Sequence, residues 1–137
     1  MTERSTSLAH LIAQVNRRFE GTMAARLRGE GLTLEHYRVL TALAGQNGRA
    51  MTDLAASVLV DPPTMTKMVD RLVANGSVFR APDPSDRRKV LVFISDRGRA
   101  LREAVEAPMR ECENEVSDLL GATEQAELRH LLRCMLN

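Results

Sequence analysis

Aromatic side chains are nearly missing from this chain: no Trp, one Tyr and three Phe in 137 residues. Stacking platforms for single-stranded nucleic acid depend on such rings, so that class of binding is poorly supplied. Cysteine is equally scarce, with only Cys112 and Cys134. Two thiols are too few for a disulfide framework in a chain long enough to bury an ordinary core, and a reducing cytoplasm is the expected compartment. No apolar run approaches the roughly 18 residues that a membrane helix needs, and residues 1–7 lack the basic-then-apolar order of a secretion signal. The patterns of small enzymes are missing too: there is no glycine loop to cradle phosphate, no metal-hydrolase motif, no G-x-S-x-G and no recognisable carboxylate pair. The expectation is a cytoplasmic protein that is not an enzyme, holds no cofactor or metal, and does not engage a membrane.

What is present is the composition of an ordinary globular domain, 44% hydrophobic and 27% charged, over the length of a single one, residues 1–137. The net charge of +1 conceals an uneven distribution. Residues 61–99 carry 8 Lys/Arg against 5 Asp/Glu, whereas residues 100–137 carry 4 against 8. A basic middle suits a polyanionic partner, and the acidic tail must serve another purpose.

Apolar residues at Leu8, Leu11, Ile12, Val15, Phe19, Met23 and Leu27 recur at spacings of three and four, which predicts a long amphipathic helix stopped by Gly29 and Gly31. Thr33 caps a second helix with Tyr37, Leu40 and Leu43 inward. Thr52-Asp53 signals a short third helix running to Val60, and Asp61-Pro62 a fourth with Met65, Met68, Val69, Leu72 and Val73 on its inner face. Thr64, Thr66, Lys67, Asp70 and Arg71 are left on other faces. Two short helices joined by a tight turn, the second with a polar outer face, have the form of a helix-turn-helix. The period then changes. Val78-Phe79-Arg80 and Val90-Leu91-Val92-Phe93-Ile94 predict a hairpin whose exposed basic tip spans residues 81–89. Ser95-Asp96 starts a fifth helix with Leu101, Val105, Met109, Val116 and Leu119 inward and a kink at Pro108. A last helix, after Gly121 and Thr123, carries Leu128, Leu131, Leu132, Met135 and Leu136.

The predicted fold is therefore mainly α with a small β-hairpin wing: a winged helix-turn-helix over residues 32–98, flanked by association helices at 8–28 and 99–137. The chain resembles the MarR family of bacterial transcription regulators through Leu54-Ala55, Asp61-Pro62-Pro63-Thr64-Met65-Thr66-Lys67-Met68-Val69-Asp70-Arg71-Leu72 and Asp83-Pro84-Ser85-Asp86-Arg87-Arg88. Leu32-Thr33-Leu34, Tyr37-Arg38-Val39-Leu40 and Ser95-Asp96-Arg97-Gly98 extend the likeness over nearly the whole sequence. Ser77, Leu59 and Pro108 depart from the family pattern, standing where an apolar residue, a small residue and no proline are usual.

A recognition helix needs an unencumbered first turn to enter a major groove. Pro63, Thr64 and Thr66 provide it together with hydroxyls, and Lys67 and Arg71 add charge for phosphates. In the wing, Arg88 is expected to enter the adjacent minor groove, with Arg87 and Lys89 over the backbone. The resemblance implies that Arg88 is the wing-tip arginine, Asp86 its acidic neighbour, and Asp70 a partner of that arginine that orients the wing. Two plainer readings stand beside these: Asp70 with Arg71 as an ordinary surface pair, and the winged helix as a protein-interaction module without DNA.

The expected partners are double-stranded DNA bearing a pseudo-palindromic operator, a second copy of the chain, and a small organic acid that releases DNA. Family resemblance places the acid among the first, second and fifth helices. Arg18, on the border of the first apolar stripe, His36 and Tyr37 are its candidate contacts, against the alternative that Arg18 reaches to solvent and Tyr37 belongs to the core. His130 and Cys134, one helical turn apart, and Cys112 beside Glu111 and Glu115 form no compact ligand quartet, so inert thiols are the simpler reading.

Overall fold

The computed structural model describes residues 6–137. Its elements run α1 (Leu8–Leu27), a single 3-10 turn (Arg28–Glu30), α2 (Leu34–Gly45), β1 (Arg49–Ala50), α3 (Met51–Val58), α4 (Pro62–Ala74), β2 (Val78–Asp83), β3 (Asp86–Ile94), α5 (Asp96–Ser117) and α6 (Ala122–Leu136). Two compact units result. One is Leu27–Ala107; the other combines α1 up to Arg26 with Pro108–Asn137.

The unit Leu27–Ala107 has a closed apolar core. Leu40, Leu43, Leu54, Met65, Val69, Leu72 and Val92 are fully or almost fully buried, each worth about 1.5–3 kcal/mol relative to exposure. Its helices begin where capping chemistry places them. Thr33 Oγ1 accepts from the His36 N–H at 3.1 Å, and the Asp61 carboxylate accepts from the Thr64 N–H at 2.7 Å, each satisfying an orphan donor of a first helical turn. Helix α3 behaves differently. It starts at Met51 behind Ala50, without any side-chain cap, so Thr52 lies inside the helix rather than at its head.

The sheet has three antiparallel strands in the order β1, β3, β2. The two-residue strand β1 escapes the sequence pattern because it is too short to show a period. The expected long loop over residues 81–89 is shortened: regular pairing runs from Val78↔Ile94 through Pro82↔Val90, a register shift follows between Pro82 and Asp83, and Asp83↔Asp86 closes the hairpin around Pro84-Ser85. The Asp83 carboxylate accepts from the Ser85 N–H at 2.9 Å and its hydroxyl at 2.8 Å, which closes the turn. Those hydrogen bonds hold its carboxyl below the ordinary range.

Two glycines are fixed by close approach. A Cβ on Gly98 would lie 2.1 Å from the Ser77 carbonyl oxygen, and one on Gly48 would lie 2.7 Å from the Phe93 ring. Ser77 is fully buried with no hydrogen-bond partner for its hydroxyl, which gives physical content to its departure from the apolar residue expected there.

In the other unit, Met109 and Cys112 are buried and Arg26 pairs with Glu111 at 3.6 Å. Helix α5 is unbroken through Pro108. The expected inward face of α5 needs amendment: Cys112 takes a buried place, Val116 is only half-buried and Leu119 is exposed. Along α1 and α6, Leu8, Leu11, Ile12, Val15, Leu128, Leu131, Leu132, Met135 and Leu136 are all exposed. Among the described residues, no helix is long and apolar enough to cross a membrane.

Candidate nucleic-acid interface

All the residues that the sequence suggests for DNA lie in the unit Leu27–Ala107. Helix α4 buries Met65, Val69 and Leu72 and leaves Pro63, Thr66, Lys67, Asp70 and Arg71 exposed, with Thr64 half-buried. At about 100° per residue these exposed positions share the side opposite the core. The Thr66 hydroxyl donates to the Pro62 carbonyl at 3.1 Å; its lone pairs remain able to accept. Hydrogen bonds from Thr64 hold the Asp61 carboxyl below its ordinary range, so the cap stays charged at the positive end of the helix dipole.

An ion pair ties the wing to α4. Arg80 of β2 donates through Nη2 to the Asp70 carboxylate, not Arg88 as the resemblance implied. Arg88 turns instead to Asp86, whose Oδ1 accepts from its N–H at 3.1 Å and from its Nε at 3.4 Å. The Arg88 side chain is nonetheless 93% exposed. Asp70 and Asp86 thus serve different arginines, one at the base of the wing and one near its end.

Sequence reasoning did not single out Arg80. The signal was strand alternation: residues 78, 80, 92 and 94 share one face, and Val78, Val92 and Ile94 are buried on it, so Arg80 must project toward the helix on that side. Arg87, Arg88 and Lys89 lie in the irregular stretch of β3 between Asp86, paired with Asp83, and Val90, paired with Pro82, and all three are exposed. On the face opposite Arg80, Phe79 and Phe93 stack with ring centroids 5.3 Å apart, which collects two of the chain's four aromatic residues.

Behind the helices, Arg49 of β1 donates to the Ser57 hydroxyl and to the Asp53 carbonyl, anchoring α3 to the sheet. Asn47 Oδ1 accepts from the Ile94 N–H at 2.9 Å. These bonds fix α3 and the sheet as one frame for α4 and the wing.

The three candidate ligand residues fall in different places. Arg18 is exposed on α1, in the helical unit; His36 and Tyr37 are half-buried in the first turns of α2, in the winged unit. Burial, and then the positive charge of Arg71, push the His36 pKa below its ordinary value, with Glu35 opposing. Cys112 is buried and its thiol pKa is raised, chiefly by that burial. Cys134 is exposed with its Sγ 3.7 Å from His130 Nε2. Among the described residues no three His, Cys, Asp or Glu side chains are gathered as metal ligands.

Comparison with known proteins gives this geometry a family. The MarR family model matches residues 30–89. The transcriptional repressor NicR of Pseudomonas putida is 31% identical over 134 residues, spanning 95% of this chain and 82% of the relative. The chain belongs to the MarR family. Among solved structures, a mutant MarR of Escherichia coli complexed with operator DNA superposes with a TM-score of 0.87 at 30% identity, covering 95% of this chain and 94% of that one. BpsR of Bordetella bronchiseptica, whose DNA binding is regulated by 6-hydroxynicotinic acid, gives a TM-score of 0.87 at 28% identity and covers 100% and 98%. As a member of this family, the chain carries its helix-turn-helix and wing.

Proposed function

We propose that this MarR-family chain is a dimeric repressor that binds a pseudo-palindromic duplex operator and is released by a small organic acid. It works in the cytoplasm and catalyses no reaction. One observation carries the reading: α4 exposes Pro63, Thr66, Lys67 and Arg71 in a row, and the Asp70–Arg80 pair fixes beside it a wing from which Arg88 projects. The likeness to a MarR structure that holds operator DNA supports it.

The mechanism follows from charge and shape. The first turn of α4 carries compact side chains, so the helix can approach base edges while Lys67 and Arg71 neutralise phosphates. The wing enters the neighbouring minor groove edge-on. Arg88 then reaches into the groove, with Arg87 and Lys89 over the backbone. A twofold dimer repeats the arrangement about one helical turn away, and the exposed apolar stripes of α1 and α6 supply the surface for it.

For release, the acid must favour a dimer geometry that does not fit the operator, since only differential affinity for two conformations shifts DNA binding. Arg18 is a proposed contact on the helical unit, tested by itself, His36 and Tyr37 are separate candidates on the winged unit, and the regulation of BpsR by 6-hydroxynicotinic acid supports an acid of that class. A thermal-shift screen of small organic acids, followed by DNA release from wild type and Arg18→Ala, tests this. Equal release from both proteins would remove Arg18 from the site.

Selection of bound duplexes from a random DNA pool tests the main reading. A palindrome with affinity falling steeply as salt rises is the expected result. Failure to enrich any duplex, or affinity indifferent to salt, would overturn it.

A further inference from the structure

Leu59 combines a strained backbone with an apolar side chain open to water. It is the one non-glycine residue among those described with a positive φ, 61°, and it is 90% exposed. The turn itself explains the conformation. Val58 is buried and Val60 half-buried, and the N–H groups of Leu59 and Val60 donate back to the Ala56 and Ala55 carbonyls, closing α3. With inward residues on both sides, the one between must pass through the left-handed state and turn its side chain out. Glycine does this without strain, whereas a branched apolar side chain is both strained and exposed to water. Strain together with apolar exposure directs attention to what this side chain can touch.

Its position names the contact. Leu59 stands two residues before the Asp61 cap and four before Pro63, and Pro62 and Pro63 are exposed as well. The head of the recognition helix is therefore apolar, not only polar. The apolar group that duplex DNA displays in its major groove is the thymine methyl.

We infer that Leu59, four residues before Pro63, is a specificity-determining residue that packs on a thymine methyl in each operator half-site. The inference rests on the DNA-binding reading above and adds a base preference to it. The contact is hydrophobic, so it contributes to discrimination without altering the number of phosphates neutralised.

The test uses the full-length protein and a duplex obtained by selection, with each thymine replaced in turn by uracil, which lacks only the methyl. For wild type, one uracil per half-site is expected to weaken binding about fourfold, the worth of one buried methyl group. Leu59→Gly and Leu59→Asn, both suited to a positive φ, should weaken binding to the thymine duplex by a similar factor and become indifferent to that uracil. Leu59→Met should keep the sensitivity. The thermal midpoint of Leu59→Gly should be unchanged or raised, and the salt slope should match wild type. A wild type that tolerates uracil at every position, or a Leu59→Gly protein that remains as methyl-sensitive as wild type, would overturn the inference and leave DNA binding standing. If no duplex is enriched at all, both readings fall.

Discussion

The two compact units of this chain treat similar side chains in opposite ways. In Leu27–Ala107 the leucines of α2, α3 and α4 are sealed from water, whereas most apolar residues of α1 and α6 lie open. Both regions show helical periodicity of comparable regularity. Burial, not pattern, distinguishes them: the winged unit completes its core from its own segments, and the helical unit presents stripes that only another surface can cover.

The largest expected effect comes from spoiling those stripes. Leu128→Glu combined with Leu131→Glu should convert the proposed dimer into folded monomers at micromolar concentration, seen by sedimentation, and lower operator affinity by at least about a hundredfold through lost bivalency. A doubly substituted chain that sediments as a dimer would show that α6 is not the interface, and a dimer surviving deletion of residues 123–137 would show the same.

Truncating one leucine in each unit sharpens the contrast. Leu72→Ala, in the sealed core, should cost about 2–5 kcal/mol in denaturant unfolding, with a midpoint independent of protein concentration. Leu131→Ala should act mainly through concentration dependence. Equal, concentration-independent losses at both sites would erase the distinction between the units.

Within the winged unit, Asp70→Ala and Arg80→Ala should each weaken duplex binding by about 1 kcal/mol and combine less than additively, because both free the same wing. Their effect on stability should be smaller, given how exposed the pair is. Arg88→Ala should weaken binding by about 1–3 kcal/mol and add fully to Asp70→Ala, since these residues belong to separate pairs. A coupling between Asp70 and Arg88 instead would restore the pairing that the resemblance implied.

Ser77→Ala tests the sealed core from the opposite direction. Removing a buried hydroxyl without a partner should stabilise the unit by up to about 1 kcal/mol, measured as a raised denaturant midpoint; a loss of stability would mean that the hydroxyl is satisfied.

The smallest effect concerns pH. His36 has a folded-state pKa below its ordinary 6.5, so protonation favours the unfolded chain. Its contribution is fully present above that value and is lost as pH falls through it toward the lower folded-state pKa. The thermal midpoint of wild type should therefore drop more than that of His36→Gln on acidification, and parallel curves would count against burial of the ring.

Much of the frame could be read from residues with local meaning. Thr33 and Asp61 mark helix starts because a short side-chain oxygen can satisfy a donor two or three residues ahead, and Asn75-Gly76 ends α4 because glycine turns left without strain. Each of these is settled within a few residues of chain. The β-branched and aromatic run Val90 to Ile94 likewise marks β3 without reference to its partners. Where the sequence reading failed, the deciding contact came from far along the chain. Arg49 and Ala50 become a strand only because β3 pairs with them more than forty residues later. The loop expected over residues 81–89 is shorter because Ala81 and Pro82 pair with Leu91 and Val90, and Asp83 with Asp86. Asp70 could be seen as a wing anchor, but its choice of Arg80 over Arg88 depends on which sheet face meets α4. Sequence alone thus determined the helices, the hairpin, their order and the family, since these rest on local chemistry and spacing. Which arginine each aspartate holds, and which leucines meet water, were decided only by tertiary structure, because register and burial depend on what the rest of the chain places opposite them.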